Sequence, residues 1–271
     1  MDSNALLAFA HDLADAAAQE TLPRFRAGTS VTNKLTEGFD PVTEADKKAE
    51  QVIRSLIEER FPDHGISGEE FGNKKGDGLH RWVIDPVDGT RAFICGIPVW
   101  TTLIALEEDN IPILGVIDQP FLKERWVGYS RGDNHTLDVT EPLGPQTSGC
   151  EAIGDARLMV TDMRAGEYLS EAEAEAVARV ANECRVTRQG LDNYGVGLVA
   201  SGELDLVVEA GLHWHDIAAA VPIVEAAGGT VTDWQGGPLR EAASANGVVA
   251  ATMAWTECWV SRSGPPCQSV T

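Results

Sequence analysis

Apolar residues recur every three to four positions at the amino end of the chain, at Leu6, Leu7, Phe9, Ala10, Leu13 and Ala17. This period predicts a helix, with Ser3 as its N-cap and Pro23 closing it. The polar, glycine-containing stretch from Gly28 to Asp40 predicts a mobile loop. A second helical period, at Ala45, Ala49, Val52, Ile53, Leu56 and Ile57, follows Thr43 as N-cap and stops at Phe61-Pro62. The pattern then turns to strands. Trp82-Val83-Ile84 is a short apolar run ending at Asp85, and Thr101–Leu106 and Ile111–Ile117 flank the acidic turn Glu107-Glu108-Asp109-Asn110, as in a hairpin. Glu124–Tyr129 adds a third strand, and residues 131–155 read as loop. Beyond them a strand at Arg157–Thr161, a helix at Ser170–Cys184, a short helical piece at Gly195–Ser201 and a strand at Leu204–Glu209 follow. One helix at Asp216–Ala227, closed by Gly228-Gly229, and strands at Thr230–Asp233 and Val248–Thr252 complete the pattern, and Ser263–Thr271 reads as a frayed end. We place a division at about residue 150, with an α+β half at 1–150 and an α/β half at 151–271.

Composition narrows the partners. The 271 residues carry 21 Lys and Arg against 42 Asp and Glu, a formal net charge of −21. Such a chain lacks the basic face that nucleic acid or an anionic membrane surface requires. A small phosphorylated substrate is compatible only if a bound cation reverses the local field. No run approaches the ~20 apolar residues of a membrane span. The first twenty residues carry Asp and His within their apolar stretch and no basic leader, so they do not read as a signal peptide. The five cysteines, Cys95, Cys150, Cys184, Cys258 and Cys267, are scattered and form no CxxC pair. They read as reduced thiols of a cytoplasmic protein.

The candidate chemistry centres on Ile84-Asp85-Pro86-Val87-Asp88-Gly89-Thr90. An apolar strand delivers two carboxylates three residues apart. Pro86 forces a turn and Gly89 permits close backbone approach. Two acids held together repel unless a cation lies between them. A hard ion such as Mg²⁺ takes oxygen ligands and can recruit a turn carbonyl such as that of Val87. Taken alone, the string reads equally well as an acidic surface turn. Gly68-Glu69-Glu70 upstream and Trp214-His215-Asp216 downstream add carboxylates without thiols, the donor set of a site for two or three Mg²⁺ ions. Alone, Glu69 reads as solvated and Asp216 as a helix-start acid. His213 and His215 flank Trp214 and have no companion at zinc-ligand spacing, so they read as core or surface histidines.

These three motifs, with Asp216 followed by Ile217-Ala218-Ala219 and Ala227-Gly228-Gly229, resemble those of the inositol monophosphatase superfamily over roughly residues 5 to 255. The resemblance implies a layered αβαβα sandwich of the sugar-phosphatase type, within the α/β (α+β) class. It implies a lithium-sensitive, Mg²⁺-dependent phosphomonoesterase, with Mn²⁺ as a substitute ion. Glu69, Asp85, the Val87 carbonyl, Asp88 and Asp216 are the implied metal ligands. Asp46, in Val42-Thr43-Glu44-Ala45-Asp46, is the implied partner of a water-positioning Thr90, and Lys34 is the implied mobile-loop lysine. The Gly89 and Thr90 amides are expected to hold phosphate if they start a helix. A homodimer is expected.

Thr90-Arg91-Ala92-Phe93, followed by Gly96-Ile97-Pro98-Val99-Trp100, resembles the histidinol-phosphate phosphatase branch. Gly190-Leu191-Asp192 and Glu209 fall where the family contacts the organic part of the substrate. Arg91, Asp192 and Glu209 are therefore expected substrate contacts, although Arg91 also reads as a structural ion-pair partner and the two acids as solvated loop residues. His215 before Asp216 and the Arg131-Gly132-Asp133-Asn134 segment depart from the family pattern and leave fine specificity open. The implied reaction is hydrolysis of L-histidinol phosphate in histidine biosynthesis. Other readings are an inositol-1-phosphate or broad sugar-phosphate phosphatase, a nucleotide 3′-phosphatase, and a non-catalytic metal-binding regulatory homologue.

Overall fold

Asp2, one residue before the expected cap, starts the first helix: its carboxylate accepts the Asn4 N–H at 3.3 Å, and α1 runs Ser3–Thr21. The computed structural model describes residues 2–28, 31–33, 41–140, 142–239, 241 and 248–252. Lys34, most of the expected mobile loop and the carboxyl-terminal end lie outside the described residues. A short antiparallel pair, β1 (Val31–Asn33) and β2 (Pro41–Thr43), leads into α2 (Glu44–Arg60). Thr43 caps α2 as the sequence predicts, in a capping box closed by Asp46.

Seven strands follow: β3 (Gly65–Gly68), β4 (Gly72–Lys74), β5 (His80–Asp88), β6 (Thr101–Glu108), β7 (Ile111–Gln119), β8 (Glu124–Arg131) and β9 (Asn134–Val139), with the five-residue α3 (Thr90–Ile94) between β5 and β6. They form one sheet in the order β4-β3-β5-β6-β7-β8-β9, antiparallel except where β3 runs parallel to β5. The β6–β7 hairpin turns at Asp109 and Asn110, both with left-handed backbone, so Glu107 and Glu108 belong to β6 rather than to the turn. Residues 131–155, read as loop, contain β9. Its exposed polar edge gives no apolar alternation to detect, and Arg131-Gly132-Asp133-Asn134 is the β8–β9 hairpin turn.

The rest of the chain is β10 (Arg157–Val160), α4 (Glu171–Glu183), β11 (Val186–Gln189), α5 (Asp192–Ala200), β12 (Leu206–Glu209), α6 (Trp214–Ile217), α7 (Ala220–Ala226), β13 (Gly229–Asp233) and β14 (Val248–Thr252). The second sheet has the order β11-β10-β12-β14-β13, with β11, β10 and β12 mutually parallel and β14 antiparallel to β12. The expected helix Asp216–Ala227 is broken into α6 and α7. Pro222 has no N–H to give and would collide with a helical turn before it, so it is tolerated only in the first turn of a new helix.

Alternation along the strands sets the layers. Trp82, Ile84, Ile104, Leu106, Leu114, Val116 and Val127 face one side of the first sheet and are buried with Leu6, Phe9 and Leu13 of α1 and Ile53 and Ile57 of α2. Val83, Leu103, Ala105, Ile117 and Trp126 face the other side. They pack on Val196 and Val199 of α5, Trp214 and Ile217 of α6, Ile223 and Val224 of α7, and Met159 and Val207 of the second sheet. Leu158, Val160, Leu206 and Val208 cover the far side of the second sheet and bury Ala176, Val177 and Val180 of α4. The order is helix, sheet, helix, sheet, helix, the αβαβα sandwich the motifs imply. Burial of each large aliphatic side chain contributes about 1.5–3 kcal/mol, and the middle helical layer is held from both sides. No helix of the described residues is long and apolar enough to cross a membrane.

Candidate active site

The end of β5 explains the Asp-Pro-x-Asp spacing. Asp85 pairs with Leu103 of β6 but Asp88 with Thr101, so three residues on β5 advance against two on β6. In a regular strand, positions three apart point to opposite faces; one bulged residue lets both carboxylates face the same way. Pro86, which cannot donate to the ladder, lies in the bulge. Asp85 Oδ1 accepts the Val87 N–H at 3.0 Å, and Thr102 Oγ1 donates to the Pro86 carbonyl at 2.9 Å. Asp88 Oδ2 accepts from Thr101 Oγ1 at 3.0 Å and from the Asn193 N–H at 2.9 Å.

Asp85 and Asp88 are buried, and both are pushed well above the usual carboxylate range. Burial is the largest cause for each; the charges of Glu69, Asp88 and Asp216 add to it at Asp85, and those of Asp192 and Asp216 at Asp88. Asp216 lies in the first turn of α6, where its Oδ2 accepts the His213 N–H at 2.7 Å and its Oδ1 lies 3.3 Å from His215 Nε2. Burial, with a contribution from Glu69, raises it to about 7 against the pull of the His213 hydrogen bond. The structure thus brings Glu69, Asp85, Asp88 and Asp216 into one another's electrostatic field. It does not draw any three of them as tightly together as His64, Asp77 and His80, whose ligand atoms lie within 4.8 Å. That histidine group is poorly arranged for an ion. The two rings stack at 4.6 Å and 17°, so their in-plane lone pairs cannot meet at one point, and Trp82 Nε1 donates to His64 Nδ1 at 3.1 Å.

The acidic group by contrast fits Mg²⁺ or Mn²⁺. Its donors are oxygens only, and a divalent cation relieves the mutual repulsion of carboxylates that are buried together. The Val87 carbonyl stands beside them and accepts from Thr90 Oγ1 at 3.0 Å. Thr90 Oγ1 also lies 3.4 Å from Asp46 Oδ1. Asp46 is more closely engaged with Thr43, whose N–H it accepts at 2.9 Å, and burial raises it to about 6. Gly89, with φ +77°, precedes Thr90 at the first turn of α3.

A second acidic pair lies next to the first. Asp192 opens α5 in the left-handed region, at φ +47°, and a Cβ placed on Gly89 would meet its Oδ2 at 2.8 Å. Glu209 is buried at the end of β12 and held well above its ordinary range, first by burial. Thr161 Oγ1 lies 2.7 Å from Glu209 Oε1 and 3.2 Å from Asp192 Oδ1. Neither acid is the solvated loop residue that the sequence left open. Arg91 pairs with Glu167 at 2.8 Å and lies 5.4 Å from the Tyr168 ring centre. Sequence reasoning missed Thr161 and Asn193, since an isolated Thr or Asn carries no motif. Asn193 ties the site together: besides its bond to Asp88, its Nδ2 donates to the Asp216 carbonyl at 2.7 Å. It also missed Glu107, buried on β6, which accepts from Trp214 Nε1 and Arg81 Nε at 2.6 Å each.

Against this geometry, the pattern of the inositol monophosphatase family matches residues 2–263. The chain belongs to that family. As a member it is a phosphatase of a metal-dependent family acting on small phosphorylated substrates. It is 35% identical over 257 residues to a histidinol-phosphatase of Streptomyces coelicolor, covering 89% of this chain and 92% of the relative. It is 40% identical over 240 residues to the bifunctional phosphatase IMPL2, chloroplastic, of Arabidopsis thaliana, covering 87% of this chain and 66% of that protein. A solved inositol monophosphatase from Zymomonas mobilis superposes with a TM-score of 0.83 at 38% identity, over 97% of this chain and 99% of that one.

Proposed function

We propose that this family member is a histidinol-phosphate phosphatase, hydrolysing L-histidinol phosphate to L-histidinol and phosphate. The observation that carries the reading is the Asp192–Glu209 pair, two acids gathered on one hydroxyl beside the Asp85–Asp88 bulge. A phosphate needs no such pair, and a neutral polyol gains only hydrogen bonds from it. Histidinol phosphate brings an ammonium and a partly protonated imidazole, which pair with it. Arg91, which faces Asp192, is itself paired with Glu167. The similarity to a histidinol-phosphatase supports the same reading. The 38% identity to an inositol monophosphatase supports the second, an inositol-1-phosphate or broad sugar-phosphate phosphatase.

Glu69, Asp85, Asp88, Asp216 and the Val87 carbonyl would hold two or three Mg²⁺ ions. When bound, these supply a water of lowered pKa and neutralise charge on the phosphate. The Thr90 hydroxyl, between the Val87 carbonyl and Asp46, orients a water for in-line attack on phosphorus; the new P–O bond forms as the bond to the alcohol oxygen breaks. The Gly89 and Thr90 amides face phosphate oxygens. In a five-residue helix their N–H groups act as individual donors and not through a macrodipole. Thr101 and Asn193 fix Asp88, and His213 fixes Asp216, so the acids are oriented before an ion arrives. A cytoplasmic setting, with Cys95, Cys150 and Cys184 as free thiols, and a homodimer complete the proposal.

Initial rates on a panel of phosphomonoesters in excess Mg²⁺ test it. Histidinol phosphate should exceed myo-inositol 1-phosphate in kcat/KM by on the order of 10², and Glu209→Gln should narrow that ratio. Equal rates would leave the phosphatase assignment standing and remove the substrate.

A further inference from the structure

The pair that would receive the substrate's cationic end is assembled by topology. β11, β10 and β12 are adjacent and parallel, with Val160 in register with both Gln189 and Val208. Their carboxyl ends therefore emerge side by side, the usual position for a ligand at such a sheet. Thr161 follows the central strand, Glu209 ends one neighbour, and Asp192 follows the other after Gly190, whose N–H bonds to the Val160 carbonyl at 3.2 Å. Thr161 is thus the middle residue of three, and its hydroxyl is shared between Glu209 Oε1 at 2.7 Å and Asp192 Oδ1 at 3.2 Å. A hydroxyl has one hydrogen, so it satisfies one of these acceptors at a time and leaves capacity for further donors. The left-handed backbone of Asp192 is an uncommon state for a residue with a side chain, and it turns that carboxylate toward Thr161 and Gly89.

We propose that Thr161 is a specificity-determining positioning residue, which fixes the spacing of Asp192 and Glu209 so that together they receive an ammonium or imidazolium group. The inference rests on the histidinol-phosphate reading above and adds the residue that makes two acids into one site.

The test uses the full chain with Mg²⁺ and two substrates, L-histidinol phosphate and 4-nitrophenyl phosphate, which has no cation. Wild type, Thr161→Val and Thr161→Ser are compared, with thermal midpoints checking that each folds. Thr161→Val keeps the shape and removes the hydroxyl. It should raise KM for histidinol phosphate, so that kcat/KM falls about ten-fold more for that substrate than for the aryl phosphate, the scale of one hydrogen bond to a charged group. Thr161→Ser should recover most of the difference. Equal losses on both substrates would make Thr161 a general structural residue and overturn the proposal. Unchanged selectivity in Thr161→Val, with a selective wild type, would overturn this inference alone. A wild type that does not favour the cationic substrate would overturn both it and the reading beneath it.

Discussion

Gly115 of β7 and Gly128 of β8 are partners across the strands, and together they form a notch in the sheet under the middle helical layer. A Cβ on Gly115 would fall 2.1 Å from the Ala219 carbonyl oxygen, and one on Gly128 would fall 2.5 Å from Ile223 Cα. Both obstacles are backbone, so no side-chain rotation relieves them. For Gly115→Ala to reach ordinary contact near 3.4 Å, Ala219 must retreat by about 1.3 Å. Ala219 lies between α6 and α7, three residues after Asp216. The strain is therefore applied next to a proposed metal ligand.

Overpacking of this kind costs about 1–3 kcal/mol. At roughly 2–4 °C per kcal/mol for a chain of this size, the midpoint should fall by about 2–12 °C. A shift of about 1 Å at a catalytic group lowers rate by up to roughly 10²-fold, so kcat/KM should fall by one to two orders of magnitude, with a weaker apparent affinity for Mg²⁺. Gly154→Ala, at a site with nothing within 4 Å, is the control and should change neither quantity. Differential scanning fluorimetry and a Mg²⁺ titration of activity measure both effects. A Gly115→Ala protein melting within 1 °C of wild type with normal turnover would refute the seating of α7 in this notch.

Other consequences are as direct. Activity should vanish in excess EDTA and return with Mg²⁺ or Mn²⁺; full activity in chelator would remove the metal proposal. Burial holds Asp46 at about 6 and Asp216 at about 7, above the ~4 of an unfolded aspartate, so the metal-free fold binds protons that the unfolded chain has released. The stability these groups contribute is present below pH ~4 and is lost as pH rises through about 6 and 7. The rise in melting temperature on adding Mg²⁺ should therefore be larger at pH 8 than at pH 5, and an equal rise would contradict the assignment. Asp88→Asn should abolish turnover while the fold survives, and near-normal kcat would reduce Asp88 to a turn residue. Glu107→Ala leaves Arg81 Nε and Trp214 Nε1 without their shared acceptor while Arg81 keeps Glu241, and stranding the buried indole N–H costs about 1–3 kcal/mol, to be read as a fall in denaturation midpoint.

The elements that proved legible in the sequence share one property: the pattern that sets them lies within a few positions. α1, α2 and strands β5 to β8 follow apolar periods that local geometry dictates. Asp85, Asp88 and Thr90 are likewise a local device, because the bulge that aligns the two acids is written in the proline between them. What escaped was set by distant contacts. β9 and β11 are partly exposed edge strands, where the sheet and not the side-chain pattern decides the conformation. Glu107 looked like the start of a turn, yet it accepts a hydrogen bond from an indole 107 residues away. Nothing in composition separates that acid from its exposed neighbours. Thr161 is the sharpest instance: Asp192 and Glu209 were expected as substrate contacts, but the hydroxyl that joins them, across sequence separations of 31 and 48 closed by three parallel strands, was not. On the proposed reading, reaction chemistry rests in large part on the short string at residues 85–90, which the sequence exposes, with Glu69 and Asp216 brought to it by the fold. On the same reading, substrate choice falls to strand ends that meet only in the folded sheet, so substitutions there should change the substrate while every motif of the phosphatase stays intact.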